Sequence, residues 1–489
     1  MTSVETVLKN TPKELFIGGG WVPASGGRTF DVDDPATGEV LCSVADASPA
    51  DGVAALDAAV AAQPAWAAHP PRERGEILRR AFELLTARID DLALLMTSEM
   101  GKPLADSRAE ITYAAEFFRW FSEEAVRIDG GYQVAPNGTG RFLVMRQPVG
   151  PCLFVTPWNF PMAMGTRKIG PAIAAGCTSV IKPAHQTPLS MLALAEILRE
   201  AGLPDGVLNV VPAMGAGELM EPLIRDGRAR KLSFTGSTAV GRSLIEQSAE
   251  QVLRVSMELG GNAPFIVFDD ADLDKAVDGA MLAKMRNMGE ACTAANRIYA
   301  QAGIAEEFGR RLAERMGSLR VGHGVKEGVQ VGPLIDAKAR KKVTELVSDA
   351  VGRGATVVIG GEAPSGEGYD GGYFYSPTVL TGVPTDARMA TEEIFGPVAP
   401  ISVFQTEQEA LDLANDTEYG LVSYVFTTDL GRGLRMSEGL ETGMVGLNQG
   451  IVSNPAAPFG GVKASGLGRE GGSTGIDEFL ETKLVAIAT

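Results

Sequence analysis

The chain has 489 residues, 45% of them hydrophobic and 21% charged, with a formal net charge of −17 at pH 7. That length predicts two or three domains with ample cores. The negative balance argues against a nucleic-acid or anionic-membrane partner, since both need clustered Lys and Arg, but leaves room for a small anion in a local basic pocket.

Residues 11–50 read as short strands and turns, including Glu14-Leu-Phe-Ile and Thr29-Phe-Asp-Val. Helical patterns follow at roughly 49–66, 71–100 and 104–126, with Pro71 and Glu73 suited to open the second. A Gly-rich break at Asp129-Gly-Gly-Tyr132 precedes a strand at 141–148. From Gly150 strands and helices alternate through Cys152–Val155, 166–175, Thr178–Ile181, 189–202, Leu208–Val211, 216–225, Lys231–Phe234, 238–249 and Arg254–Glu258. Such alternation predicts an α/β fold, a parallel sheet with helices on both faces, binding its ligand at the C-terminal strand ends. A second alternating region spans about 263–450, and an apolar strand at 483–488 can pair with 141–148 or with another subunit.

The four cysteines (Cys42, Cys152, Cys177, Cys292) lack Cys-x-x-Cys spacing and the three histidines are scattered, so no metal site is expected. So few thiols in a long chain point to a reducing compartment. The N-terminus shows no basic region followed by an apolar core, and no apolar run reaches membrane-spanning length; a cytoplasmic protein is expected.

Five stretches carry chemistry. In Asn287-Met-Gly-Glu-Ala-Cys-Thr-Ala-Ala-Asn-Arg297, Gly289 lets the backbone turn, so Cys292 can face a cleft, although most free cysteines are simply buried. Thr156-Pro-Trp-Asn-Phe-Pro161 ends a strand in a proline-stiffened loop, and the Asn159 amide can donate to a developing oxyanion. Lys182 and the Phe234-Thr-Gly-Ser-Thr-Ala-Val-Gly241 turn can meet phosphate, the latter at a helix N-terminus. Met257-Glu-Leu-Gly-Gly-Asn262 places the Glu258 carboxylate, a possible general base, at a Gly-rich turn.

Together with Glu392-Glu-Ile-Phe-Gly-Pro397 and Pro458-Phe-Gly-Gly-Val-Lys-Ala-Ser-Gly466, these stretches resemble the aldehyde dehydrogenase superfamily over about residues 14–485. The resemblance implies a Rossmann-like cofactor domain (1–125 and 150–258), a catalytic domain (259–470) and a small β oligomerisation arm (126–149 and 471–489) in a homodimer or homotetramer. It implies Cys292 as nucleophile, Asn159 and the Cys292 backbone N–H as oxyanion donors, and Glu258 as the base that hydrolyses a thioester. It implies Trp158, Lys182, Gly236, Ser237, Leu259, Glu393 and Phe395 as cofactor contacts. His185 stands where NAD-preferring relatives commonly carry Glu; it removes a repulsion of the 2′-phosphate, so NADP is expected, with NAD possible.

Within the family the chain looks most like the succinate-semialdehyde dehydrogenase branch, whose carboxylate-binding positions match Arg167, Arg286 and Ser453. Two guanidinium forks suit a carboxylate, although internal ion pairing is the competing fate of such arginines. Glutarate semialdehyde or a broad range of aliphatic aldehydes, with NAD, is the alternative. Ala294 occupies a position where some members carry a second cysteine, so no redox pair is expected, and Glu290 replaces a common Gln.

Overall fold

The computed structural model describes residues 3–488. An eight-stranded sheet runs in the order Gly466–Leu467, Arg254–Glu258, Lys231–Thr235, Cys152–Val155, Ser179–Lys182, Leu208–Val210, Leu15–Ile17, Gly20–Val22. Its central strands are parallel, and their register sets the motif-bearing ends side by side: Val155 pairs with Lys182 and with Phe234, and Thr235 pairs with Glu258. Both faces are covered, which is why these strands read as continuous apolar runs rather than alternating ones. On one face Phe117, Phe118 and Phe121 of helix Leu104–Glu124 belong to the core shared with helix Ala163–Ala175.

A second, seven-stranded sheet runs Thr356–Ile359, Thr378–Thr381, Val398–Phe404, Ala295–Gln301, Ala263–Val267, Val422–Phe426, Met444–Leu447. Only Leu259-Gly-Gly-Asn262 separates the end of the first sheet's Arg254–Glu258 strand from the start of Ala263–Val267, which pairs with the strand that follows Cys292 (Ala263 opposite Ala295). Topology alone therefore brings the C-terminal edge of one sheet to the N-terminal edge of the other, with Glu258 and Cys292 at the seam. Gly261 is required there, because a Cβ would lie 2.5 Å from the Cys292 carbonyl oxygen.

The chain returns to the first sheet late: Leu467 and Gly466 pair antiparallel with Met257 and Glu258. The C-terminal strand Leu480–Ala488 pairs antiparallel with Gly140–Pro148, and Gly131–Val134 completes a three-stranded sheet. Pairing with 141–148 was one of the two partners open to this strand.

The expected 71–100 helix is two helices, Pro71–Ala87 and Ile89–Met100. Arg88 leaves the helical region (φ −109°, ψ 18°) and joins them. Its N–H closes the first helix on Leu84 and Leu85, while its carbonyl opens the second to Leu92. The buried residues Leu78, Leu85, Leu92 and Met96 keep helical spacing through the break, so periodicity cannot reveal it.

Candidate active site

A cleft of about 650 Å³ lies at the seam of the two sheets. Cys292, Glu258 and Asn159 line it, as do Trp158, Gly236, Ser237, Leu259, Glu393 and Phe395, and Arg167, Arg286 and Ser453. Lys182 and His185 are not part of its wall; their neighbour Gln186 is.

Cys292 is delivered by a strained turn. Asn287 (φ 52°), Met288 (φ 59°) and Gly289 (φ 79°) are all left-handed, a costly state for the first two. A Cβ at Gly289 would lie 2.2 Å from the Gly396 carbonyl oxygen. Asn287 Nδ2 holds the turn by donating to the carbonyls of Asn159 (3.0 Å) and Glu290 (2.9 Å). Burial pushes the Cys292 thiol up to about 12, with Arg167 pulling the other way and Glu393 and Glu258 adding to the rise. The resting group is thus a neutral thiol.

Asn159 is buried and aimed. One hydrogen of its Nδ2 goes to the Glu290 carbonyl at 3.0 Å, leaving the second for another acceptor. Its backbone carbonyl accepts from Lys102 Nζ (2.7 Å), which also pairs with Glu110 (2.6 Å). Glu110 in turn accepts from the N–H groups of Met162 and Ala163, at the start of helix Ala163–Ala175. This buried network fixes the loop from behind.

Glu258 is buried with Oε2 unpartnered. Burial holds its carboxyl well above the usual range; Glu470 adds to this, and Arg167, Lys168 and Arg469 oppose it. Gly460 reaches it from the returning Pro458–Gly466 segment, where a Cβ would lie 3.0 Å from Glu258 Oε1.

The cofactor end is formed by Ser237, the N-cap of helix Thr238–Ala249, whose first turn offers free N–H donors. Trp158 and Phe395 meet edge to face at 5.4 Å. Glu393 accepts from the Gly261 N–H at 3.2 Å, and burial raises it to about 7. The glycines at 236 and 241 make room for Phe234 and Leu259 side chains. Burial lowers Lys182 to about 8, against the pull of Asp46. Burial, then Lys182, lowers His185, which is therefore neutral at pH 7. Open helix N–H groups, an apolar wall of two aromatic rings and a carboxylate for hydroxyls fit a dinucleotide, which when bound supplies a hydride acceptor.

At the other end, Arg286 lies over the rings of Phe160 (4.9 Å) and Tyr113 (5.6 Å), with Nη1 3.4 Å from Ser453 Oγ. It forms no ion pair among the described residues. Arg167 packs on Phe459 (4.0 Å) and is paired with Glu470, Nε to Oε2 2.6 Å. The internal pairing that competes with ligand binding is thus present at Arg167 and absent at Arg286.

Lys102, Asn287, Tyr113 and Glu470 escaped sequence reasoning. Asn287 stood inside a recognised stretch, and Glu470 inside Ser465-Gly-Leu-Gly-Arg-Glu-Gly471, which also follows the resemblance, but neither was given a role; Lys102 and Tyr113 sit on ordinary helical or loop sequence with no local signal.

A two-sheet α/β enzyme with a thiol, a carboxyl and an amide converging on one cleft is the class that fold and geometry define. Residues 21–485 match the aldehyde dehydrogenase family. The chain is 58% identical to a succinate-semialdehyde dehydrogenase of Paenarthrobacter nicotinovorans, over 92% of this chain and 99% of that protein. It is 51% identical to a glutarate-semialdehyde dehydrogenase of Pseudomonas putida, covering 97% and 98%. It superposes on the crystal structure of an E. coli NADP dependent enzyme with a TM-score of 0.96 at 50% identity, covering 98% of each chain. The chain belongs to the aldehyde dehydrogenase family and is an NAD(P)-dependent oxidoreductase. No helix among the described residues is long and apolar enough to cross a membrane.

Proposed function

We propose that this protein oxidises succinate semialdehyde to succinate, with NADP as the preferred acceptor. The observation that carries the reading is Arg286, a guanidinium without an internal carboxylate, beside Ser453 in the cleft that holds Cys292. A cation so placed favours an aldehyde with an anionic far end. Arg167, half satisfied by Glu470, supports the same end.

Cys292 gives its proton to water in the cleft, a loss that Arg167 favours, and the thiolate attacks the aldehyde carbon to form a thiohemiacetal. The spare Asn159 hydrogen and the Cys292 backbone N–H hold the oxyanion. After hydride loss the thioester remains on Cys292. Glu258 takes a proton from water, whose oxygen attacks the thioester; the acid leaves and the thiol is restored. Trp158, Gly236, Ser237, Leu259, Glu393 and Phe395 bind and orient the dinucleotide. Neutral His185, beside Lys182, presents no negative charge to a 2′-phosphate, and the E. coli relative is described as NADP dependent. The three-stranded sheet, with Tyr132, Val134, Leu484 and Ile487 exposed, supports a homodimer or homotetramer built through this arm. A cytoplasmic enzyme is consistent with the whole.

A second reading keeps the chemistry and lengthens the substrate, as the Pseudomonas putida relative's name suggests. Reduction of NADP and NAD, measured in parallel with succinate semialdehyde, glutarate semialdehyde and butanal, tests both. The highest kcat/KM is expected for succinate semialdehyde with NADP. A maximum at glutarate semialdehyde supports the second reading, and equal values for butanal overturn both.

A further inference from the structure

Tyr113 sits on helix Leu104–Glu124, one turn before Phe117, whose ring it meets edge-on at 5.0 Å. Its ring lies under the Arg286 guanidinium (5.6 Å), and Phe117 lies under that of Arg167 (5.4 Å). Tyr113 thus stands between the two arginines on the wall of the cleft. Its hydroxyl is shielded from solvent and has no hydrogen-bond partner among the described residues; Arg167 Nη2 is in the same state. A buried phenol normally finds a partner, and an orphaned donor calls for an explanation.

Two orphaned donors on one wall, with the Arg286–Ser453 pair beside them, lack an acceptor. A carboxylate has two oxygens and about four lone-pair sites, enough for Arg286, Arg167, Ser453 and one more donor. We propose that the Tyr113 hydroxyl is that donor, that it binds the terminal carboxylate of the aldehyde, and that it helps set the preference for carboxylated over neutral substrates. This rests on the reading of the substrate as a carboxylated aldehyde.

Tyr113→Phe keeps the ring against Arg286 and Phe117 and removes only the donor. Loss of a hydrogen bond to a charged group predicts a roughly ten- to hundredfold fall in the kcat/KM ratio of succinate semialdehyde over butanal, carried by KM. A second measurement avoids turnover: in a Cys292→Ala background, calorimetric affinity for succinate should weaken by a similar factor when Tyr113→Phe is added. A high wild-type ratio left unchanged by Tyr113→Phe overturns the proposal and spares the substrate reading. A wild-type ratio near one overturns the reading itself, and the proposal with it. If bound water rather than substrate satisfies the hydroxyl, succinate affinity will not move, which also overturns it.

Discussion

Arg167 Nε lies 2.6 Å from Glu470 Oε2, and both side chains are almost wholly buried, at 2% and 6% exposure. The other oxygen of the same carboxylate meets Lys168 Nζ at 2.5 Å. One anion therefore serves two cations, leaving a positive charge near the cleft that an anionic substrate can balance. Arg167 is at once part of the fold and part of the cleft wall, whereas Arg286 is free of such a tie.

The two arginines should accordingly fail in different ways. Arg167→Ala leaves Glu470 with one cation, and Glu470→Gln leaves two buried cations without an anionic partner, Lys168 keeping only the Ser233 hydroxyl; each should cost about 3–5 kcal/mol. Arg286→Ala should cost far less stability but raise KM for succinate semialdehyde at least tenfold. Urea unfolding midpoints beside steady-state kinetics check the contrast. Equal stability losses for Arg167→Ala and Arg286→Ala would contradict it.

Glu258→Gln should separate the two halves of the reaction. Acylation of Cys292 needs no water, so the variant should show a burst of about one reduced cofactor per site, then slow turnover. Stopped-flow absorbance reads this directly. Normal turnover without a burst would remove Glu258 from the hydrolytic role.

Cys292→Ala should abolish turnover while cofactor binding, followed by fluorescence titration, persists. Steady-state activity in this variant would be incompatible with the covalent route.

Glu290 offers a pH prediction. It is fully buried, accepts only the Ile335 N–H (3.2 Å) through Oε1, and has Oε2 unpartnered. Burial holds its carboxyl well above the ordinary value of 4.5, against that N–H and Lys102. Above pH 4.5 the unfolded chain releases this proton and the folded chain keeps it. The folded state then binds more protons, and stability falls as pH rises toward the folded value. Glu290→Gln removes that slope. Its stabilising effect should grow from pH 5 to pH 8 in urea titrations; a constant difference would show that Glu290 is ionised in the fold.

Sequence reached the reacting groups because each sits at a strand end marked by its own turn chemistry: Pro157 and Pro161 around Asn159, Gly260 and Gly261 after Glu258, Gly289 before Cys292. It reached most helices through their spacing, and the strand that Leu480–Ala488 joins was one of the two partners it left open. Two kinds of feature stayed hidden. One is pairing across long separations: Lys168 and Glu470 are 302 residues apart, and nothing local marks Glu470 as the partner of two cations. The other is a break that keeps phase, as at Arg88. The strand Ala295–Gln301 is legible only from Ile298 on, as an apolar run, because its first residues belong to the cysteine stretch. Tyr113 lies on a helix read correctly as a helix, and Lys102 in the short link before it, but their roles come from what faces them.

The most direct measurement compares wild type with Arg286→Ala in NADP reduction, using succinate semialdehyde and butanal. A strong wild-type preference for the semialdehyde is expected to collapse in Arg286→Ala, with butanal turnover reduced far less. A wild-type enzyme indifferent to the carboxylate, or a preference that survives the loss of Arg286, would contradict that expectation.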